Sequence, residues 1–165
     1  EKSCYESAEY AAKYLTSESP YFNPNVQKLI VCGWSLGCAM AIHFATLPVV
    51  RDKIHSVVLF APFESVSRVV IPRHIYPAFR HLDIFKNGEK ICNIPTNIPI
   101  KILSGDKDQV ILKAHLHGQR LQSKGGINCK YKTLEECDHG FLFACFDKDG
   151  LYKVGMTIRD FLSHS

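Results

Sequence analysis

The 165-residue sequence contains no apolar run approaching the roughly 18 residues that a membrane-spanning helix requires. Its opening residues, Glu1-Lys2-Ser3-Cys4, lack the apolar core of a secretory signal. The net charge of +4 is spread along the chain, without the block of about five or six like charges that marks a nucleic-acid or membrane-surface arm. Nucleic acid is thereby a poor candidate partner. No internal repeat, low-complexity tract or C-x-x-C pair is present. The first residue is not Met, and the expectation is that further residues precede it.

What cysteine there is does not pair up. Cys4, Cys32, Cys38, Cys92, Cys129, Cys137 and Cys145 are odd in number, which argues against a disulfide framework. Cys32 and Cys38 flank Ser35 inside an apolar stretch and read as reduced, buried thiols of a cytosolic protein. Cys137, His139 and Cys145 are the set closest to a zinc site, but their spacing matches none of the usual structural-zinc patterns. No metal site is predicted.

Apolar residues make up 46% of the chain, enough for one packed domain. Ser3-Cys4-Tyr5-Glu6 has the form of a capping box, and Cys4, Tyr5, Ala8, Ala11, Ala12 and Leu15 fall on one stripe of a helix ending near Thr16. Pro20 and Pro24 mark a loop. The short β-branched runs 28–33, 56–60 and 98–103 suit strands buried on both faces of a parallel sheet, whereas 128–134 alternates with lysines like an edge strand. Small-residue or amphipathic helices are predicted over 36–46, 112–121 and 151–161. Strands alternating with helices imply an α/β fold with a mainly parallel sheet and flanking helices. Residues 63–97 break that rhythm with Pro, His, Arg and aromatics, and read as a lid-like excursion over the sheet.

Gly33-Trp34-Ser35-Leu36-Gly37 is a G-x-S-x-G sequence that follows a buried strand and opens a helix, the setting of a nucleophile elbow. The tight turn predicts strained backbone at Ser35, with Gly33 and Gly37 present because a Cβ at either would collide with strand or helix. The Leu36 amide and the helix N-terminus would face an oxyanion. A serine hydroxyl needs a base, and the base needs an acid to hold its tautomer. Ligands bind at the carboxyl ends of parallel strands, which points to Gly105-Asp106-Lys107-Asp108 for the acid. Asp108 is favoured over Asp106 because the turn must leave the strand before a side chain can point back. His139 alone among eight histidines lies in a short loop after the last strand. Adjacent Asp138 would stabilise that loop, His43 sits mid-helix, and His115 and His117 lie on a helix that looks exposed.

With these residues in order, the chain resembles the α/β-hydrolase superfamily over nearly its whole length. The Gly33–Gly37 elbow, Gly105-x-x-Asp108-x-Val110 and His139-Gly140 match the family's nucleophile, acid and base. The segments 61–65 and 98–111 look most like the serine-aminopeptidase-type and α/β-hydrolase-domain-containing protein 17 group, which includes protein depalmitoylases. That family carries several strands before the elbow, and a loop there with a second oxyanion-hole amide. The resemblance therefore implies a domain whose amino-terminal strands lie upstream. The group's amino-terminal cysteine cluster is not matched by Cys4 alone, so lipid anchoring is not carried over. Trp34 stands where that group often has a smaller residue and would reshape the acyl pocket.

The resulting expectation is a serine hydrolase of acyl esters or thioesters, on an acylated protein or lipid, working through an acyl-Ser35 intermediate without metal or organic cofactor. Ser35, Asp108 and His139 would be catalytic, Leu36 the oxyanion donor, and Trp34, Tyr76 and Phe79 substrate-binding. The setting would be cytoplasmic, peripheral to membranes. The alternative is a non-catalytic interaction protein that keeps the fold and a vestigial triad.

Overall fold

Four parallel strands in the order β1-β2-β3-β4 carry the molecule: Leu29–Trp34 (β1), Ile54–Phe60 (β2), Ile100–Gly105 (β3) and Cys129–Leu134 (β4). The computed structural model describes residues 1–16, 28–72, 74–140 and 152–163. Helix Lys2–Thr16 (α1) precedes the sheet, and helix Gly37–Thr46 (α2) connects β1 to β2. Between β2 and β3 the chain makes three short helices, Val66–Val70 (α3), Tyr76–Phe79 (α4) and Asn87–Lys90 (α5). Helix Ala114–Gly125 (α6) joins β3 to β4, and Lys153–Leu162 (α7) is the last helix.

The central strands are apolar on both faces because both are covered. In β2, Val57 and Leu59 join a cluster with Ala12, Ile42, Ile102 and Leu121, while Val58 and Phe60 join Leu103, Val154 and Phe161 on the opposite side. Burying each such Val, Leu or Phe contributes about 1.5–3 kcal/mol, so the middle of the sheet holds the layers together. The lysines of β4 remain exposed between buried Cys129 and Leu134, in agreement with an edge strand.

Several expectations shift. The strand expected over 28–33 runs to Trp34 and is buried on one face only, with Ile30 45% exposed, because no described strand lies on its outer side. The third strand starts at Ile100, two residues late, since Pro99 has no amide N–H to donate and the Ile98 amide donates to the Pro95 carbonyl in a turn. Ser3 is not an N-cap: α1 begins at Lys2, with the Cys4 and Tyr5 amides donating to the Glu1 carbonyl. Ala11 is exposed while Ala8 and Ala12 are buried. The helix predicted over 112–121 begins at Ala114 and continues to Gly125. Cys4, Cys32, Cys38, Cys92 and Cys129 are free thiols; Cys38 is buried as expected but Cys32 is exposed, and Cys137 is disulfide-bonded. Cys145 and the loop with Pro20 and Pro24 lie outside the described residues. No described helix is long and apolar enough to cross a membrane.

Candidate active site

The site is built where β1, β3 and β4 release the chain at their carboxyl ends. At the first exit, a Cβ on Gly33 would come within 2.7 Å of the Cys38 Cα, 2.8 Å of the Gly37 carbonyl oxygen and 2.9 Å of the Ala41 Cβ. Only glycine lets β1 and α2 approach so closely. Gly37 behaves otherwise, since a Cβ there meets nothing within 4 Å, and the expected collision applies to Gly33 alone. Ser35 has φ of 51°, in the left-handed region, which costs a residue with a Cβ about 1–2 kcal/mol. Its amide donates to the Phe60 carbonyl at 2.8 Å, fixing the strained turn to the end of β2. Leu36, the N-cap of α2, follows directly after Ser35 and is 47% exposed.

The exits of β3 and β4 are laced together. A Cβ on Gly105 would overlap the Cys137 carbonyl, so the two loops touch through backbone. The Asp106 amide donates to the Leu134 carbonyl at 3.1 Å, and the Lys107 amide to the Cys137 carbonyl at 3.0 Å. Asp106 turns its carboxylate to the Cys137 amide at 3.3 Å. The next turn brings Asp108 round, and its side chain is 1% exposed. One carboxylate oxygen accepts from the Val110 and Ile111 amides at 2.9 and 2.8 Å. The other meets His139 Nδ1 at 2.9 Å.

His139 Nε2 lies 3.0 Å from Ser35 Oγ, completing a chain from carboxylate through imidazole to hydroxyl. With Asp108 ionised, Nδ1 is the donor to it, and Nε2 is left to accept the Ser35 proton. The His139 loop is held by two further contacts. Asp138 accepts from the Gly140 amide at 2.8 Å, the loop-stabilising role expected of it. Trp34 Nε1 donates to the His139 carbonyl at 3.0 Å, with the two rings 5.7 Å apart.

The chain is similar to known proteins in sequence family and in fold. A family model described as serine hydrolase covers residues 12–122 of the sequence. The chain belongs to the serine hydrolase family. No curated protein matches this serine hydrolase by sequence. Among solved structures, an esterase domain from Rhodothermus marinus superposes with a TM-score of 0.63 at 17% identity, over 93% of this chain and 65% of that one. Porphyromonas gingivalis dipeptidyl peptidase 4 does so with 0.65 at 13% identity, over 98% of this chain and 22% of that one. Acyl-protein thioesterase 2 of Zea mays reaches 0.52 at 17% identity, over 98% of this chain and 65% of that one. At these identities the likeness establishes the α/β-hydrolase fold. This serine hydrolase chain thus spans just under two thirds of the esterase domain and about a fifth of the peptidase.

Not every expected residue is brought to the serine. The Tyr76 hydroxyl donates to Asp83 at 2.7 Å, and its ring lies 4.0 Å from the Arg68 guanidinium carbon. Phe79 is 43% exposed. No contact among the described residues links either to Ser35, Asp108 or His139; the excursion's own Asp83 claims Tyr76. His43 pairs with Glu9 at 3.0 Å on α1. Gly105 was read from the sequence only as the start of the acid's motif and Ser35's partner Phe60 only as the end of a strand; neither contact was foreseen.

Proposed function

We propose that this chain supplies the catalytic residues of a hydrolase that cleaves acyl esters or thioesters through an acyl-Ser35 intermediate. The observation that carries the reading is the unbroken Asp108–His139–Ser35 chain on a strained elbow. Ser35 Oγ attacks the acyl carbon as its proton passes to His139 Nε2, and Asp108 stabilises the imidazolium formed. The oxyanion develops opposite the Leu36 amide and the start of α2. Collapse breaks the bond to the leaving alcohol or thiol, which takes the proton from His139. Water then attacks the acyl carbon, His139 again takes a proton, and the carboxylic acid leaves with Ser35 restored. No metal or organic cofactor enters these steps.

Trp34 is assigned to the acyl pocket's rim as well as to the His139 loop, being 41% exposed beside the serine. The esterase and thioesterase among the structural neighbours support this substrate class, and an acylated protein or lipid at a cytoplasmic membrane periphery fits it. Five free thiols favour a reducing compartment, and the Cys137 disulfide weighs against it.

The test is fluorophosphonate labelling of the full-length protein followed by turnover of p-nitrophenyl esters, an acyl thioester and a peptide anilide. Labelling of the parent, its absence in Ser35→Ala, and preference for the oxygen and sulfur esters are expected. An unlabelled parent favours the non-catalytic alternative, and preference for the anilide would make the enzyme a peptidase.

A further inference from the structure

Outside the triad, four cation-bearing or donor side chains converge on one groove with no carboxylate in its wall. The groove, about 330 Å³, lies between α3 with the residues after it and the start of α6. That is the small end of the roughly 300–1,000 Å³ typical of ligand sites. Arg68 and Arg120 line it after sharing the buried carboxylate of Glu64, which lies 3.4 and 3.3 Å from them and also 2.8 Å from Lys124. One negative charge therefore serves three positive ones, and Lys113 on the groove's rim adds a fourth.

His117 gives the groove a direction. It is only 4% exposed and lines the cavity. Its Nδ1 accepts from the Glu64 amide at 3.2 Å, so the ring carries its proton on Nε2. No described residue accepts from that Nε2–H. Burial, with Arg120 and Arg68 nearby, keeps His117 neutral by lowering its pKa, against the opposing pull of Glu64. That donor opens onto the groove, where a bound anion would accept from it. The same groove is also lined by apolar side chains, among them Val70, 70% exposed, and Leu112, 65% exposed.

We propose that this groove binds an anionic amphiphile, specifically a medium-chain fatty carboxylate, with its head against Arg68, Arg120, Lys113 and the His117 Nε2–H. The chain lies along Val70 and Leu112. A carboxylate accepts from a guanidinium in fork geometry, and an apolar body uses the rim that a bare anion would leave wet. The choice of fatty carboxylate rests on the proposed hydrolysis, whose acyl product it is. Leu112 and Lys113 follow directly from the Asp108-held turn, so occupancy of the groove would bear on the acid's loop.

The experiment is calorimetric titration of decanoate into full-length Ser35→Ala, which removes turnover. One site per chain is expected, with decanoate at least tenfold tighter than decanol or acetate. Lys113→Glu and Leu112→Asn, both at exposed positions, should each weaken decanoate at least tenfold. Equal binding of decanol overturns the anionic head. Tighter binding of inorganic phosphate, or unchanged affinity in both variants, overturns the site. Because binding is read in Ser35→Ala, failure here leaves the fluorophosphonate result on the parent untouched, and the two readings fail separately.

Discussion

Asp108 performs two tasks with one carboxylate: it caps the turn after β3 through Val110 and Ile111 and orients His139. Asp108→Asn keeps the first but forces an amide against Nδ1 and the wrong tautomer on the imidazole. A loss of about 10⁴ in kcat is expected from the same change in a known triad. Asp106→Asn, at a residue that meets only the Cys137 amide among the site's groups, should lose less than about tenfold, consistent with one hydrogen bond. Steady-state ester kinetics on the two variants check the ranking, and equal losses would reassign the acid. Trp34 lends itself to a finer test as the sequence's single tryptophan. Trp34→Phe retains a ring beside His139 and removes one N–H donor, so kcat should fall about two- to tenfold, in line with about 0.5–1.5 kcal/mol.

At the scale of the element, the β1–α2 elbow separates two glycines that look equivalent in the motif. Gly33→Ala puts a methyl among the Cys38 and Gly37 backbones and the Ala41 side chain. It should cost about 2 kcal/mol or more, as overpacking does, and displace Ser35. Gly37→Ala meets open space at the first turn of α2, and should be neutral or stabilise by about 0.4–1 kcal/mol by restricting the unfolded chain. Urea unfolding of the two variants decides it: equal destabilisation would mean that the close approach is not confined to Gly33. The motif's letters identify the elbow, but which glycine is sterically compelled depends on how α2 leans over β1.

Across the whole molecule, Glu64 ties the excursion after β2 to α6. Its side chain is 5% exposed, its carboxylate meets Arg68, Arg120 and Lys124, and its carbonyl accepts from the Gly88 amide at 2.9 Å. Burial by itself would raise its pKa, yet the Lys124 bond and the three cations outweigh that and hold it below the ordinary value. A depressed carboxylate contributes stability that is present above the unfolded value, about 4.3, and lost as pH falls through the native one. Glu64→Gln should therefore destabilise the protein at pH 7 by about 1–3 kcal/mol, less than a fully buried pair, because the cations keep access to water. Parent and variant should draw together in urea midpoint as the pH is lowered below the ordinary carboxylate value. A constant difference from pH 7 to pH 3 would show that the carboxylate's charge contributes nothing.

The sequence by itself determined the parallel α/β order, the elbow and the two loops holding Asp108 and His139, because β-branched runs, small-residue helices and strand-end polar residues are local features with one period each. It pointed to Ser35, Asp108 and His139 but not to their contact. That Ser35 Oγ, His139 Nε2 and Asp108 fall in line depends on Gly105 touching the Cys137 backbone, which joins residues over thirty positions apart. His117 shows the same limit: it looked exposed among His115 and Arg120, yet with Ala114, Gly118 and Leu121 it forms the buried face of α6. Tyr76 and Phe79 were expected at the substrate, and the excursion instead folds on its own Asp83 and Glu64. Aromatic composition carries no direction, and only tertiary packing decides which polar group a tyrosine reaches.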